Sequence, residues 1–394
     1  MKIAIVHDAL VNLGGAERVL GAFHLMFPEA PIYTTVYLAE RTHEVLRTAQ
    51  INTSWLQTIA KTEAQLKLLL PLTFSVMRQL DLSAYDLVLS SSTYCAKNVE
   101  TAPTTTHVCY CYAPFRPVWD YEQYTSNLNW SGFRRRCMRI VFSHFRSIDF
   151  NAGQKPGHLV AISKHAAAKL ERAYRRKPIA IIYPPVDVNS YLFDASSEDY
   201  FLVVSRLVAY KKIDIVIEAF NALKMPLKVI GTGPDLARLR NMAGPNIEFL
   251  GAVSESDLRD YYARSRSLIF PGEEDFGLPP LEAHASGRPV IAFAKGGALE
   301  TVVGVNGEAA KDATGIFFYE QTAEAVGDAL RKFERLSFDR RCIRGRAMLF
   351  DTRQFRSQIC TLLDQAYSSS LTPNMSAEPY FDQSPYSPEA HQKV

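Results

Sequence analysis

The feature that most constrains this chain is an alternation. Short runs rich in β-branched residues are separated by stretches of helical periodicity, and the pattern starts afresh halfway along. Ile3–His7, Ile32–Tyr37, Asp86–Ser90, His107–Cys111 and Leu159–Ile162 read as strands of a first half. Phe201–Ser205, Leu227–Ile230, Ile247–Leu250, Leu268–Phe270, Val290–Phe293 and Ile316–Phe318 read as strands of a second. Near-continuous apolar strands joined by helices form parallel sheets covered on both faces. The pattern predicts an α/β protein of two Rossmann-like parallel-sheet domains facing a central cleft, the natural place for a ligand.

The break falls at Tyr183-Pro184-Pro185, where consecutive prolines fix φ and remove backbone donors. The expected domains are therefore 1–185 and 186–348, followed by a helix over 349–367 that packs back on the first domain. Residues 368–394 lack apolar periodicity and are expected to be disordered.

Charge divides unevenly between the halves. Residues 1–185 hold 21 Lys and Arg against 13 Asp and Glu, while the remainder holds 23 against 28. A basic first half suits an anionic partner such as phosphate, a lipid headgroup or nucleic acid. Nucleic acid is disfavoured, because no aromatics interleave with the basic residues as in a recognition module. Residues 133–146 form an amphipathic basic helix with Arg135, Arg139 and Arg146 on one face and Phe133, Cys137 and Ile140 on the other. It either packs on the core with a solvated face or docks on an anionic membrane.

No apolar run approaches the roughly 20 residues that cross a bilayer, and the first residues enter a strand without a leader-like segment. Six scattered cysteines make no disulfide framework; they read as buried structural thiols in a reducing setting. These points suggest a cytoplasmic protein, with possible peripheral contact at the inner face of the plasma membrane.

Chemistry concentrates where strands end and helices begin. Gly14-Gly15 precedes the first helix, where backbone amides meet a phosphate or simply make a tight turn. The six-residue dinucleotide fingerprint is absent, which disfavours a dehydrogenase. Arg206 and Lys211 follow a strand end, placed to reach one diphosphate. Gly231-Thr232-Gly233-Pro234 is a strand-to-helix turn with Pro234 suited to the first helical position, shaping either a base pocket or only the turn. The densest stretch is Pro271-Gly272-Glu273-Glu274-Asp275-Phe276-Gly277-Leu278-Pro279-Pro280-Leu281-Glu282. It places Glu274 in a loop, exposes amides at Phe276, Gly277 and Leu278, and sets Glu282 in the first helical turn. Paired carboxylates accept hydrogen bonds from vicinal sugar hydroxyls. A second diglycine, Gly296-Gly297, faces the same edge.

In combination, the Glu274 to Glu282 spacing, the Arg206 and Lys211 pair, the Gly231–Pro234 turn and the diglycines resemble glycosyltransferase family 4. The resemblance covers roughly residues 1–365 and implies retaining enzymes of the GT-B fold that use a nucleotide sugar. By resemblance, Arg206 and Lys211 neutralise the departing diphosphate and Glu282 binds ribose. Glu274 with the Phe276, Gly277 and Leu278 amides holds the donor sugar, and Gly15 gives an amide to the phosphates. Arg206, Lys211 and Glu274 are then the catalytic set, with no metal and no cofactor beyond the sugar nucleotide.

Many relatives carry histidine where this chain has Tyr112, which stands as a candidate sugar contact. A phenol with a pKa near 10 is a poor general base at neutral pH. His107 is the alternative, or a structural histidine opening a buried strand. The resulting expectation is a mannosyltransferase using GDP-mannose to extend a glycan or lipid-linked acceptor in surface polysaccharide synthesis. The rivals are a non-catalytic nucleotide-sugar-binding scaffold and a sugar-nucleotide epimerase or hydrolase.

Overall fold

A computed structural model describes residues 1–120, 131–193, 195–305 and 312–371. The chain divides into two compact units: Met1–Tyr183 together with the chain from Phe355 onward, and Pro184–Gln354. The break after Tyr183 falls between two extended segments, at the start of the diproline.

The first unit holds a seven-stranded parallel sheet: β1 Ile3–His7, β2 Ile32–Thr34, β3 Ile51–Thr53, β4 Leu87–Ser92, β5 Thr106–Cys111, β6 His158–Ala161 and β7 Ala180–Ile181. Their order across the sheet is β3-β2-β1-β4-β5-β6-β7. Every pairing is parallel, with Ile5 opposite Ile32 on one side of β1 and Leu89 on the other. The central strands β4 and β5 are buried at every position, as a sheet covered on both faces requires.

The second unit holds six parallel strands: β8 Phe201–Val204, β9 Leu227–Ile230, β10 Ile247–Gly251, β11 Leu268–Phe270, β12 Val290–Phe293 and β13 Gly315–Phe318. Their order is β10-β9-β8-β11-β12-β13. Its core gathers Phe201, Val203, Val229, Ile269 and Ile291 from the strands with Val216, Ile217, Phe220, Val326 and Leu330 from the helices Ile213–Leu223 and Ala323–Phe333. In both sheets the strand order reverses beside the first strand, between β1 and β4 and between β8 and β11. A doubly wound sheet opens a crevice at the carboxyl ends of the strands flanking such a reversal.

The last helix runs Thr352–Leu371. Its Phe355 ring lies 5.5 Å from that of Phe23 and 5.9 Å from that of Tyr110. The helix extends past the point where disorder was expected to begin. Ser369 and Ser370 hydroxyls donate to Ala366 O, and Ser370 Oγ meets Thr106 Oγ1 at 2.9 Å. Residues 372–394 lie outside the described residues.

The helix Gly132–Gln154 departs from its expected facing. Ile140 is 68% exposed, although it was placed on the buried face. The inward stripe is instead Phe142, Phe145, Ile148, Asp149 and Ala152, packed against the cluster of Phe74, Met77 and Phe115. These positions recur at helical spacing and Ile140 falls outside them. Arg146 is exposed as expected, while its guanidinium donates twice to Val118 O and lies 5.2 Å from the centre of the Trp119 ring. Arg136 and Arg139 remain exposed, while the side chains of Phe133, Arg135 and Cys137 lie outside the description.

Below this helix sits a polar hub that charge patterning does not reveal. Lys97 and Asp149, both fully buried, form an ion pair at 2.8 Å. The carboxylate also accepts from Tyr174 Oη and Trp119 Nε1, each at 2.8 Å, and from the Phe115 amide at 3.3 Å. Lys97 donates to Tyr94 O at 2.7 Å. Burial opposes the charge on Lys97, but Asp149 outweighs it and the ammonium pKa rises above its ordinary value. The free cysteines Cys95, Cys109 and Cys111 are buried, whereas Cys342 and Cys360 are half-buried.

Candidate active site

In the second unit the two strands beside the reversal lead into most of the candidate site residues. β8 ends at Val204 and runs into Ser205, Arg206 and a short 3-10 turn, Ala209–Lys211. β11 ends at Phe270 and runs into the Pro271–Gly277 loop. The fold thereby brings Lys211 and Glu274 together, 63 positions apart in sequence, as an ion pair whose side chains are both largely buried. Lys211 also lies 5.5 Å from the centre of the Tyr210 ring. Arg206 differs, for it is exposed at the strand end.

Both loops are held by backbone. Leu207 N donates to Thr232 O at 2.9 Å, and Asp235 N to Leu207 O at 3.0 Å. Gly231 makes this lacing possible: at φ +135° it lies so close to Ser205 that any Cβ would overlap the Ser205 carbonyl. The Gly231–Pro234 turn thus clamps the loop bearing Arg206 and Lys211. Pro234 itself precedes the next helix, Leu236–Met242, whose cap is Asp235, so it is not the first helical residue.

The second diglycine does similar work. Gly297 N donates to Glu274 O at 2.8 Å, and a Cβ there would overlap the Phe276 carbonyl. The Gly297 amide therefore fixes the Glu274 loop from behind rather than facing a ligand. Gln321 Nε2 holds the same loop at Pro271 O, 2.9 Å away.

Gly277 adopts φ +85° and caps the helix Leu278–Ala285. Phe276 turns into the protein, its ring 5.9 Å from that of Phe350, and Leu278 is half-buried. Because the helix begins at Leu278, Glu282 is its fifth residue and not in the first turn. Glu282 is 3% exposed, and Tyr262 Oη donates to its Oε2 at 2.6 Å. This partner, on the helix Glu255–Arg264, was not visible in the sequence.

In the first unit, Gly15 is exposed at the first position of the helix Gly15–Met26. Glu17 reaches back to the Gly14 amide at 3.1 Å, closing the helix start. Tyr112 follows β5 at the carboxyl edge, yet its hydroxyl lies in a buried chain. His7 Nδ1 meets Ser91 Oγ at 3.0 Å, Ser91 Oγ meets Tyr112 Oη at 2.9 Å, and Tyr112 donates to Ala16 O at 3.1 Å. Tyr112 therefore anchors the first turn of the helix behind the diglycine, and burial pushes its phenol pKa well up. His107 sits at the other end of β5, bonded to Ser90 Oγ at 2.9 Å, with burial lowering its pKa to about 3. It is held neutral inside the sheet, away from the carboxyl edge.

Asp8, unremarked in the sequence, closes the edge of β4. Its carboxylate accepts from the amides of Thr93, Tyr94, Cys95 and Ala96 at 2.5–3.1 Å, fixing the loop that follows Ser92. Among the described residues, no group of three or more His, Cys, Asp or Glu is placed to hold a metal, and no helix is long and apolar enough to cross a membrane.

Residues 193–347 match the family model for glycosyl transferases, group 1. Over 155 residues the chain is 29% identical to an uncharacterized glycosyltransferase of Methanocaldococcus jannaschii, covering 38% of this chain and 44% of that one. Over 145 residues it is 27% identical to the O-antigen chain mannosyltransferase RfbU of Salmonella typhimurium, covering 34% and 41%. The chain thus spans less than half the length of these curated relatives. The structure of the Anabaena protein HepE in complex with UDP superposes with a TM-score of 0.66 at 16% identity, over 93% of this chain and all of that one. The two parallel sheets and this likeness give the chain the GT-B fold, and its second unit is similar in sequence to the group 1 glycosyl transferases.

Proposed function

We propose that the protein is a retaining glycosyltransferase that moves mannose from GDP-mannose to a glycan or lipid-linked acceptor in surface polysaccharide synthesis. The observation that carries this reading is the meeting of Lys211 and Glu274 at the β8/β11 reversal, with Arg206 exposed on the same loop as Lys211. In this reading the diphosphate of the donor lies against Arg206 and Lys211. As the bond between the sugar and the diphosphate breaks, negative charge grows on the leaving oxygen. Cations fixed in advance by the Gly231 clamp stabilise it without reorganising. Glu274 accepts from the sugar hydroxyls, Glu282 from the ribose, and the amides from Phe276 to Leu278 line the donor. In the first unit, Gly15 offers an amide to the phosphates. Side chains supply the positive charge, so the proposed step calls for neither a metal nor a cofactor.

The mannosyltransferase relative supports mannose as the sugar. A UDP-sugar is the second reading, favoured by the UDP bound to the Anabaena neighbour. A thermal-shift panel of GDP-mannose, UDP-glucose, UDP-GlcNAc and dTDP-rhamnose, repeated on Arg206→Ala, tests both. A ligand at 100 times its Kd stabilises by about 2.7 kcal/mol. The expected result is a rise in Tm with GDP-mannose that the variant loses. A rise only with uridine compounds moves the donor to a UDP-sugar, and no rise with any of them overturns the nucleotide-sugar reading.

Work at the inner face of the plasma membrane, from the cytoplasm, completes the proposal. Its support is the face of the helix Gly132–Gln154 where Ile140 stands exposed beside Arg136 and Arg139. A solvated face needs no isoleucine there, whereas an anionic bilayer takes both the charge and the apolar side chain. The protein should sediment with phosphatidylglycerol vesicles, and Arg136→Glu/Arg139→Glu should release it. Equal sedimentation of both would remove the membrane contact.

A further inference from the structure

The hydrogen bond between Tyr262 and Glu282 points to a residue that controls ribose recognition without touching the nucleotide. Tyr262 is fully buried on the helix Glu255–Arg264, and Glu282 is 3% exposed on the helix Leu278–Ala285. The phenol donates to Oε2 at 2.6 Å, a short contact of the kind made when the acceptor is ionised. The Tyr262 backbone is fixed as well: its carbonyl accepts from Ser265 Oγ at 3.0 Å, and its ring stands edge-on to that of Tyr191 at 6.1 Å.

A glutamate has three side-chain torsions, and a carboxylate that must accept from two vicinal hydroxyls needs one orientation of its plane. A donor locked in the core and aimed at one oxygen supplies that orientation before the ligand arrives.

We infer that Tyr262 is a positioning residue: it holds the Glu282 carboxylate turned toward the ribose diol of the donor. This rests on the ribose reading of Glu282 given above. It has a consequence that a purely structural hydrogen bond lacks, since loss of the phenol impairs recognition of the two ribose hydroxyls and nothing else on the nucleotide.

The test compares binding of GDP and UDP with binding of their 2′,3′-dideoxy counterparts, using whichever base the protein takes. Calorimetry is run on the full chain and on Tyr262→Phe, Glu282→Gln and Glu282→Asp. The wild type should prefer the ribonucleotide, and Glu282→Gln should abolish the preference. Tyr262→Phe, which keeps the ring and its packing, should shrink the preference roughly tenfold while dideoxynucleotide affinity stays unchanged. Glu282→Asp draws the carboxylate back by one methylene and breaks the same bond with Tyr262 intact, so it should behave like Glu282→Gln and provides the reading if Tyr262→Phe does not fold. If Glu282→Gln keeps the wild-type preference, the ribose role of Glu282 falls and the inference falls with it. If Glu282→Gln loses the preference but Tyr262→Phe or Glu282→Asp keeps it, the ribose role stands and the positioning role of Tyr262 is overturned.

Discussion

Replacing Lys97 by alanine should destabilise the protein by about 3–5 kcal/mol, measured as a fall in the urea midpoint of the first unit at unchanged m-value. The cost comes less from losing the ion pair than from what remains. Asp149 is fully buried, and without Lys97 it keeps only the donors of Tyr174, Trp119 and Phe115 against its negative charge. The double variant Lys97→Met/Asp149→Leu removes both charges and should recover most of the loss, because a buried pair competes closely with apolar residues of similar volume. The pH dependence has a definite sign. The folded-state pKa of Lys97 is raised, so its contribution is fully present below the unfolded value, about 10.4, and is lost only as pH climbs through the folded one. The deficit of Lys97→Ala should therefore be constant from pH 6 to 9. A deficit under about 1 kcal/mol, the size typical of an exposed pair, would show that water reaches the hub.

This hub also marks where sequence reading stops. The strands Ile3–His7, Leu227–Ile230, Leu268–Phe270 and Val290–Phe293 were legible to the residue, because strands covered on both faces read as short, mostly apolar runs rich in β-branched residues. β3 and β7 were not legible. They are edge strands of three and two residues, only half-buried, and β7 sits in the apolar run Ile179–Ile182 just before the diproline, where it reads as part of the connection. The cations and acids at the ends of β8 and β11 stood out because they cluster at the carboxyl ends of parallel strands, where open α/β sheets bind ligands. Lys97 with Asp149, Tyr262 with Glu282, and Tyr112 with Ser91 join residues 20 to 52 positions apart on different elements, and no local pattern encodes such pairings. Ile140 shows the same limit from the other direction. Periodicity finds an apolar stripe, but the neighbours that decide which stripe is buried lie elsewhere in the chain. The glycines at 231 and 297 were conspicuous as turn formers, whereas their close approach to Ser205 and Phe276 exists only in three dimensions.

Opposite effects on diphosphate binding are expected from the two ends of the Lys211–Glu274 pair. Without ligand, Glu274 neutralises Lys211, so an incoming diphosphate competes with a carboxylate for the same ammonium. Glu274→Gln removes the competitor and keeps the shape of the side chain. Its affinity for GDP or UDP alone should rise several-fold, while turnover of the intact nucleotide sugar falls roughly 10²-fold through loss of the sugar contact. Lys211→Ala should weaken bare diphosphate binding modestly and cut kcat/KM by about 10²–10³, as expected when a charge acting mainly in the transition state is removed. Calorimetry with the nucleoside diphosphates, set beside steady-state rates, separates these outcomes. Should both variants bind GDP and UDP more weakly and lose stability together, the pair is a brace that holds the Pro271–Gly277 loop to the β8 turn, and the charge awaiting the diphosphate is Arg206 alone. Arg206 is exposed and Lys211 is paired; under the proposed function, the first outcome follows if the exposed cation meets the phosphates and the paired one is released to them as the sugar draws Glu274 away.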